Sequence, residues 1–256
     1  MVAVSSARPV TVTFAGSGDA FGSGGRYQAC IHLRGPDGAA PVLLDCGATS
    51  LSALRRCGLD PAEVAGVFVS HLHGDHFGGI PFLILNAQFA RRTSPLPVIG
   101  PRGTARRLAA LMEDMFPGSS AAARRFAVDV TELEPGASAA AAGVRAEAFP
   151  ADHPAGQDSR SLALRLTLAG RVIGYTGDTA WTGALTEVAA GADLLIAEAY
   201  YRAKNIPYHL RLADLVEHRA ELASRRIVLT HMSADVLDHR DEAGFETAHD
   251  GLVLRV

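Results

Sequence analysis

Three histidines and an aspartate, His71, His73, Asp75 and His76, fall within six residues directly after the apolar run 67–70. Imidazole nitrogens and carboxylate oxygens are donors that zinc and similar borderline cations prefer, and a loop can turn several of them towards one point. Gly74 is expected to relieve the sharpest part of this turn, and Gly78 and Gly79 to let the following helix approach closely. Any one of the four polar residues could sit on an ordinary exposed turn. Four at this spacing predict a metal-binding loop. A cation held there would activate water and stabilise negative charge developing on an oxygen, so hydrolysis is the expected chemistry.

Such a loop works only if regular elements hold it. Apolar runs bounded by turn residues predict strands at 10–14, 30–33, 42–45 and 67–70, and again at 126–130, 144–149, 162–168, 172–176, 194–197 and 227–230. Helical spacing predicts helices at 49–57, 83–90, 104–115, 182–190 and 212–223. The stretches 35–40 and 135–143 read as surface loops rather than linkers. Strands in both halves with helices between them predict an α/β fold of packed sheets with helices outside, in one domain over residues 1–256.

The run from His71 to His76 resembles the His-x-His-x-Asp-His signature of the metallo-β-lactamase superfamily. That resemblance implies a four-layer αββα sandwich, two mixed β-sheets flanked by helices. Further elements of the superfamily follow in order: Asp45 in Leu44-Asp45-Cys46-Gly47, which would support the loop from behind, His153 after a strand, Asp178 in Thr176-Gly177-Asp178-Thr179, and His231 in Thr230-His231-Met232-Ser233. Carried over by position, His71, His73 and His153 would hold one metal, Asp75, His76 and His231 the other, and Asp178 would join them. The implied cofactor is two Zn2+, with Mn2+ or Fe2+ as alternatives, sharing a hydroxide. Read singly, Asp178 could instead cap the next helix, His153 could be a loop residue, and His231 a core histidine.

Within the superfamily, three segments resemble the branch containing ribonuclease Z and small phosphodiesterases: the loop 14–22 with Gly16, Gly18 and Gly22, the Glu198-Ala199-Tyr200 element followed by His209, and the motif around His231. The resemblance makes Asp75, already a ligand, and His209 the candidate catalytic residues, His209 contacting the scissile phosphate or protonating the leaving group. Glu198 could orient it. The branch usually places a small hydroxyl residue after that histidine, whereas this chain has Leu210, and His209 could alternatively mark only the entry to the helix at 212. Homodimers are usual in the branch, so a homodimer is expected by analogy.

Composition bounds the substrate. Lysine and arginine total 24 against 27 acidic residues, a net charge of -3, and no arginine-aromatic interleaving or spare basic arm is present, which disfavours a large RNA. A small, anionic phosphodiester fits better. The start of the chain, residues 1–6, has no basic or long apolar character, and no stretch approaches a membrane span, so a soluble, cytoplasmic protein is expected. Cys30, Cys46 and Cys57 are odd in number and lie outside the cluster, consistent with reducing surroundings. Gly16-x-Gly18 is not followed by a long helix, so it reads as a rim loop rather than a dinucleotide fingerprint. Arg26 near its end is read as an exposed arginine before a substrate contact. Phe82, Leu85 and Phe89 are read as core before pocket wall. The rival functions are a hydrolase of lactones, lactams, thioesters or sulfate esters on the same scaffold, and a non-catalytic metal-binding module.

Overall fold

Alternation along the strands sets the architecture. In β-strands successive side chains face opposite ways, and along residues 162–168 the four leucines Leu162, Leu164, Leu166 and Leu168 enter one apolar cluster while Ala163 enters another. The computed structural model describes residues 9–154, 156, 159–242 and 244–256; residues 1–8, including the N-terminal stretch read above, lie outside the described residues.

Among these, two sheets form. The first comprises β1 (Thr11–Gly16), β2 (Cys30–Arg34), β3 (Val42–Leu44), β4 (Gly66–Phe68), β5 (Leu96–Pro101) and β6 (Val128–Leu133). The second comprises β7 (Ser138–Ala141), β8 (Val144–Pro150), β9 (Leu162–Leu168), β10 (Arg171–Tyr175), β11 (Leu194–Glu198), β12 (Ile227–Thr230) and β13 (Glu246–Thr247), and β14 (Leu252–Arg255) returns to pair with β1. Each sheet is mixed. β1, β2 and β3 pair antiparallel and β3 to β6 parallel, while β7 to β10 pair antiparallel and β10 to β13 parallel.

Phe14, Ile31, Leu44 and Phe68 from the first sheet meet Leu164, Ile173 and Ile196 from the second in the central core. The helices α1 (Ser50–Arg56), α2 (Gly74–Phe77), α3 (Ile80–Phe89) and α4 (Thr104–Met115) lie in the first half of the chain, where Leu54, Phe77, Leu83 and Leu108 cover the outer face of the first sheet. The helices α5 (Ala184–Ala189), α6 (Leu212–Glu217) and α7 (Ala234–Leu237) cover the second through Leu185, Leu215 and Val236. The expected four-layer sandwich is therefore present. No helix among the described residues is long and apolar enough to cross a membrane.

Several boundaries differ from the sequence expectation. The helix expected to run to 223 ends at Glu217 because tight turns, Glu221 N to His218 O and Leu222 N to Arg219 O, replace the helical hydrogen bonds while Leu222 stays buried. The loop expected at 135–143 contains β7, whose small residues pair with β8. The strand expected at 126–130 is shifted to Val128–Leu133. β5 had no sequence signal because two prolines and a glycine mask it, yet β4 and β6 hold it on both sides. Phe89 is 84% exposed, and Phe82 stands edge-on to Phe116 with ring centroids 5.4 Å apart, so Phe89 is not core.

Candidate metal centre

The residues of interest leave the sheets at strand ends. Asp45 follows β3, the 70–76 run follows β4, His153 follows β8, Asp178 follows β10, Glu198 ends β11 and His231 follows β12. A sandwich whose strands end near one another brings distant positions together, which is why sites form on such rims.

Asp45 fixes the first group. It is buried, with φ 59°, and its Oδ1 accepts from Ser70 N at 2.7 Å. Its Oδ2 accepts from the Ser70 and Tyr175 hydroxyls, each at 2.8 Å, and from His76 Nδ1 at 2.7 Å. A carboxylate acceptor fixes the tautomer, so His76 turns Nε2 inward, 3.3 Å from both Asp75 Oδ2 and Asp178 Oδ1. The loop after Asp45 packs directly on α2: Cys46 N donates to His76 O at 2.7 Å and Gly79 N to Cys46 O at 2.8 Å. A side-chain carbon at Gly47 would lie 2.1 Å from Asp75 O, at Gly79 2.2 Å from Gly47 O, and at Gly78 2.5 Å from Gly74 O. Gly74 itself faces open space. The expected role for Gly74 is thus corrected; Gly47, Gly78 and Gly79 permit the close approach.

The later residues reach the same place. His153 Nδ1 donates to Tyr208 O at 2.9 Å, which leaves Nε2 facing His73 Nδ1 at 3.0 Å. The buried Asp178 carboxylate lies 4.0 Å from His71 Nε2, 3.3 Å from His76 Nε2 and 3.4 Å from His231 Nε2. It caps no helix, since α5 starts at Ala184 behind Gly183. His231 has φ 55°, a left-handed conformation that costs an ordinary residue roughly 1–2 kcal/mol, and its Nε2 is 3.2 Å from Asp75 Oδ2. His209 Nδ1 donates to Glu198 Oε1, and Glu198 Oε2 accepts from Thr179 N at 3.0 Å and Leu210 N at 3.2 Å. His209 also lines the cavity at the centre.

Two sets of side chains offer atoms close enough to share a cation: His71, His73 and His153, and Asp75, His76, Asp178 and His231. Asp178, Glu198, His209 and His231 form a third, overlapping set. Burial, with the neighbouring imidazoles, pushes the His71 pKa well down and lowers that of His73, so both offer a lone pair. Burial also opposes charge on His76 and His231, but Asp178 and Asp75 outweigh it, holding His76 well above its ordinary value and His231 up at about 10. Burial disfavours ionised Asp75 and Asp178, yet the imidazoles keep both carboxyls well below their usual range. Buried atoms without a hydrogen-bond partner include His71 Nε2, His76 Nε2 and Asp178 Oδ1. An orphaned buried polar atom costs ~1–3 kcal/mol. Several converging ones, all of ligand type, fit a divalent cation.

The cavity here is about 140 Å³, lined by His73, Asp75, His153, Asp178, His209 and His231 together with Ala20, Phe21 and Tyr200. A larger cavity of about 650 Å³ lies elsewhere, by Arg219, Arg226 and Glu246, and holds none of the clustered histidines. Arg26 is neither exposed nor at the site. It is part-buried and donates to Ala248 O at 2.6 Å, tying its loop to the segment between β13 and β14.

The profile of the β-lactamase superfamily domain matches residues 41–232, from the strand before Asp45 to just past His231. The chain belongs to the metallo-β-lactamase superfamily. Ribonuclease Z of Methanothermobacter thermautotrophicus is 39% identical to this superfamily member over 92 residues, 36% of this chain and 29% of the relative, so the chain aligns with under a third of that protein's length. Among solved structures, the short form of human tRNase Z superposes with TM-score 0.75 at 25% identity, covering 95% of this chain and 98% of that one. The metallo-β-lactamase fold protein YhfI from Bacillus subtilis superposes with TM-score 0.79 at 23% identity, over 97% of this chain and 100% of that one, a likeness of fold. As a member of this hydrolase superfamily the chain is read as an enzyme with a candidate metal site.

Sequence reasoning overlooked four contributors. Tyr208 acts through its backbone carbonyl, which has no side-chain signature. Tyr175 reads as an ordinary strand residue until its hydroxyl is seen on Asp45. Phe21 and Tyr200 sit inside the quoted motifs, but only the cavity reveals that their rings line it.

Proposed function

We propose that this superfamily member is a dinuclear metal-dependent hydrolase of small phosphodiesters. The observation that carries the reading is the convergence of His71, His73 and His153 on one side, and Asp75, His76 and His231 on the other, about the buried Asp178 carboxylate. His71, His73 and His153 would hold one cation, Asp75, His76 and His231 the second, and Asp178 would contact both. Two divalent cations, zinc in the first instance, would supply water activation near neutral pH and charge neutralisation on the reacting phosphoryl oxygen.

The chain's own residues support the rest. Asp75, Asp178 and Glu198 bring three carboxylates to the site, where His231 stands 3.2 Å from Asp75 and 3.4 Å from Glu198; bound cations would add the positive charge that draws an anionic ester. Asp45 holds His76 and Ser70, keeping the loop in one geometry. Glu198 raises the His209 pKa against the opposing effect of burial, favouring a protonated ring at the cavity wall. From there Nε2 would pass its proton to the departing alkoxide oxygen. The likeness to ribonuclease Z supports a phosphodiester as the substrate class, and the net charge of -3 supports a small one.

Elemental analysis of the purified protein tests the first part, with close to two zinc equivalents expected. Turnover of bis(p-nitrophenyl) phosphate and cyclic nucleotides against a panel of lactones, lactams, thioesters and sulfate esters tests the second. Hydrolysis confined to the carbon or sulfate esters would replace the phosphodiester reading, and absence of bound metal with no rescue by zinc or manganese would end the dinuclear one.

A further inference from the structure

The cavity beside the clustered histidines measures about 140 Å³. Pockets that enclose a whole small ligand run to roughly 300–1,000 Å³. The enclosed space therefore suits a reacting group such as a phosphoryl, and the remainder of a substrate must lie beyond it, against whatever stands at the mouth.

Phe21 stands there. It lines the cavity with Tyr200 yet is 83% exposed, on the loop joining β1 to β2. An exposed apolar residue is unremarkable by itself. This one is held outward by a built support. The buried Asp19 carboxylate accepts from Phe21 N at 3.2 Å, Ser23 N at 2.9 Å and the Ser23 hydroxyl at 2.7 Å. Gln28 Nε2 donates to Ala20 O at 3.2 Å, and Gly18 N to Tyr27 O at 2.7 Å. The loop also rests on α7, where a side-chain carbon at Gly24 would come within 2.8 Å of Leu237 Cδ1. A buried carboxylate spent on bracing a loop that keeps a phenyl ring in water makes sense when the ring has a partner arriving from solution.

We propose that Phe21 is a specificity-determining residue of this cleft, stacking on a flat unsaturated ring carried by the substrate next to its ester group. The inference rests on the phosphoester reading above for the group in the cavity. A phenyl ring offers no hydrogen bond, so it selects for flatness and polarisability rather than for one base or aryl group. Tyr200 supplies a second aromatic surface in the same cavity, its ring centroid 4.6 Å from that of His209.

The test is equilibrium binding to the metal-loaded protein of two matched pairs, phenyl phosphate against methyl phosphate and adenosine 5′-monophosphate against ribose 5-phosphate. Each pair holds the phosphate and changes only the ring. Wild type is expected to prefer the ring-bearing member, Phe21→Ala to reduce that preference roughly 5- to 150-fold, the range for single aromatic stacking contacts, and Phe21→Trp to restore it. Preference in the adenosine pair alone identifies a nucleobase, and preference in both identifies any flat ring. Equal binding within both pairs by wild type, or a preference untouched by Phe21→Ala, overturns the proposal. So does a shift from dimer to monomer in sedimentation of Phe21→Ala with the preference intact, because a second copy would then be the ring's partner. A Phe21-dependent preference in a protein that hydrolyses no phosphodiester would leave this inference standing and remove the hydrolytic one.

Discussion

Asp45 Oδ2 accepts a hydrogen bond from His76 Nδ1 at 2.7 Å, across 31 positions of sequence and with both side chains fully buried. The same carboxylate holds Ser70 and Tyr175, so one residue outside the cavity sets the angle at which an imidazole enters it. Replacing Asp45→Asn keeps the shape but weakens the acceptor. Zinc affinity, measured by competition with a chromophoric chelator, is expected to fall ~10- to 100-fold, as for other partners that orient metal-binding histidines.

Removing a donor should be harsher than misorienting one. His71→Ala and Asp178→Ala are each expected to lower bound metal well below two equivalents and to reduce phosphodiester turnover by ~100-fold or more. Plasma emission analysis and kcat on the same preparations provide the check; full metal with lost rate would remove these residues from the ligand set.

His209 should behave differently. His209→Ala is expected to keep its metal and lose kcat ~100- to 10,000-fold on esters with poor leaving groups, with a smaller loss on p-nitrophenyl esters, which need little protonation. Because Glu198 raises the His209 pKa, activity dependent on the protonated ring should fall as pH rises through that value. Glu198→Gln should move this alkaline limb to lower pH, visible in a kcat profile.

Much of this site is legible in the chain before any coordinates. The spacing of His71, His73, Asp75 and His76 at a strand end points to ligand chemistry because few other arrangements concentrate those donors. What the sequence hides is supplied by backbone and by distance: the Tyr208 carbonyl on His153, the Tyr175 hydroxyl on Asp45, and the strand made by Leu96–Pro101 despite its prolines. Local pattern carries no record of which distant segment will arrive, and that segment decides each of these cases.

Metal uptake should release protons. In the metal-free protein burial disfavours charge on His231 and His76, but Asp178 and Asp75 favour the protonated ring on both, with His231 raised to about 10. A cation must displace those protons to reach the nitrogens. Titration of zinc calorimetrically in buffers of different ionisation enthalpy is expected to show a release of roughly one to two protons at pH 8; heats independent of buffer would contradict it.

His32 makes a separate pH prediction. It is buried in β2 with Nδ1 unpaired, and burial together with Arg34 lowers its pKa to about 4. The unfolded chain, with an ordinary value near ~6.5, takes up the proton first as the solution is acidified. This contribution is therefore neutral above that value, and stability declines from there towards about 4, by up to ~1.4 kcal/mol per pH unit. Thermal melts of wild type and His32→Leu between those limits should diverge, the variant showing the shallower acid slope.

Bonds cross from one sheet to the other beside the cavity, among them Tyr175 reaching Asp45, Leu162 N donating to Ser70 O at 2.9 Å and His231 N donating to Ser17 O at 3.1 Å. Together they act as stitches along a seam. Any slippage of the layers, by even a fraction of a bond length, would spread the His71 and His231 donors apart, so the width of the cleft is governed by how the halves are sewn together rather than by the loops that happen to face it.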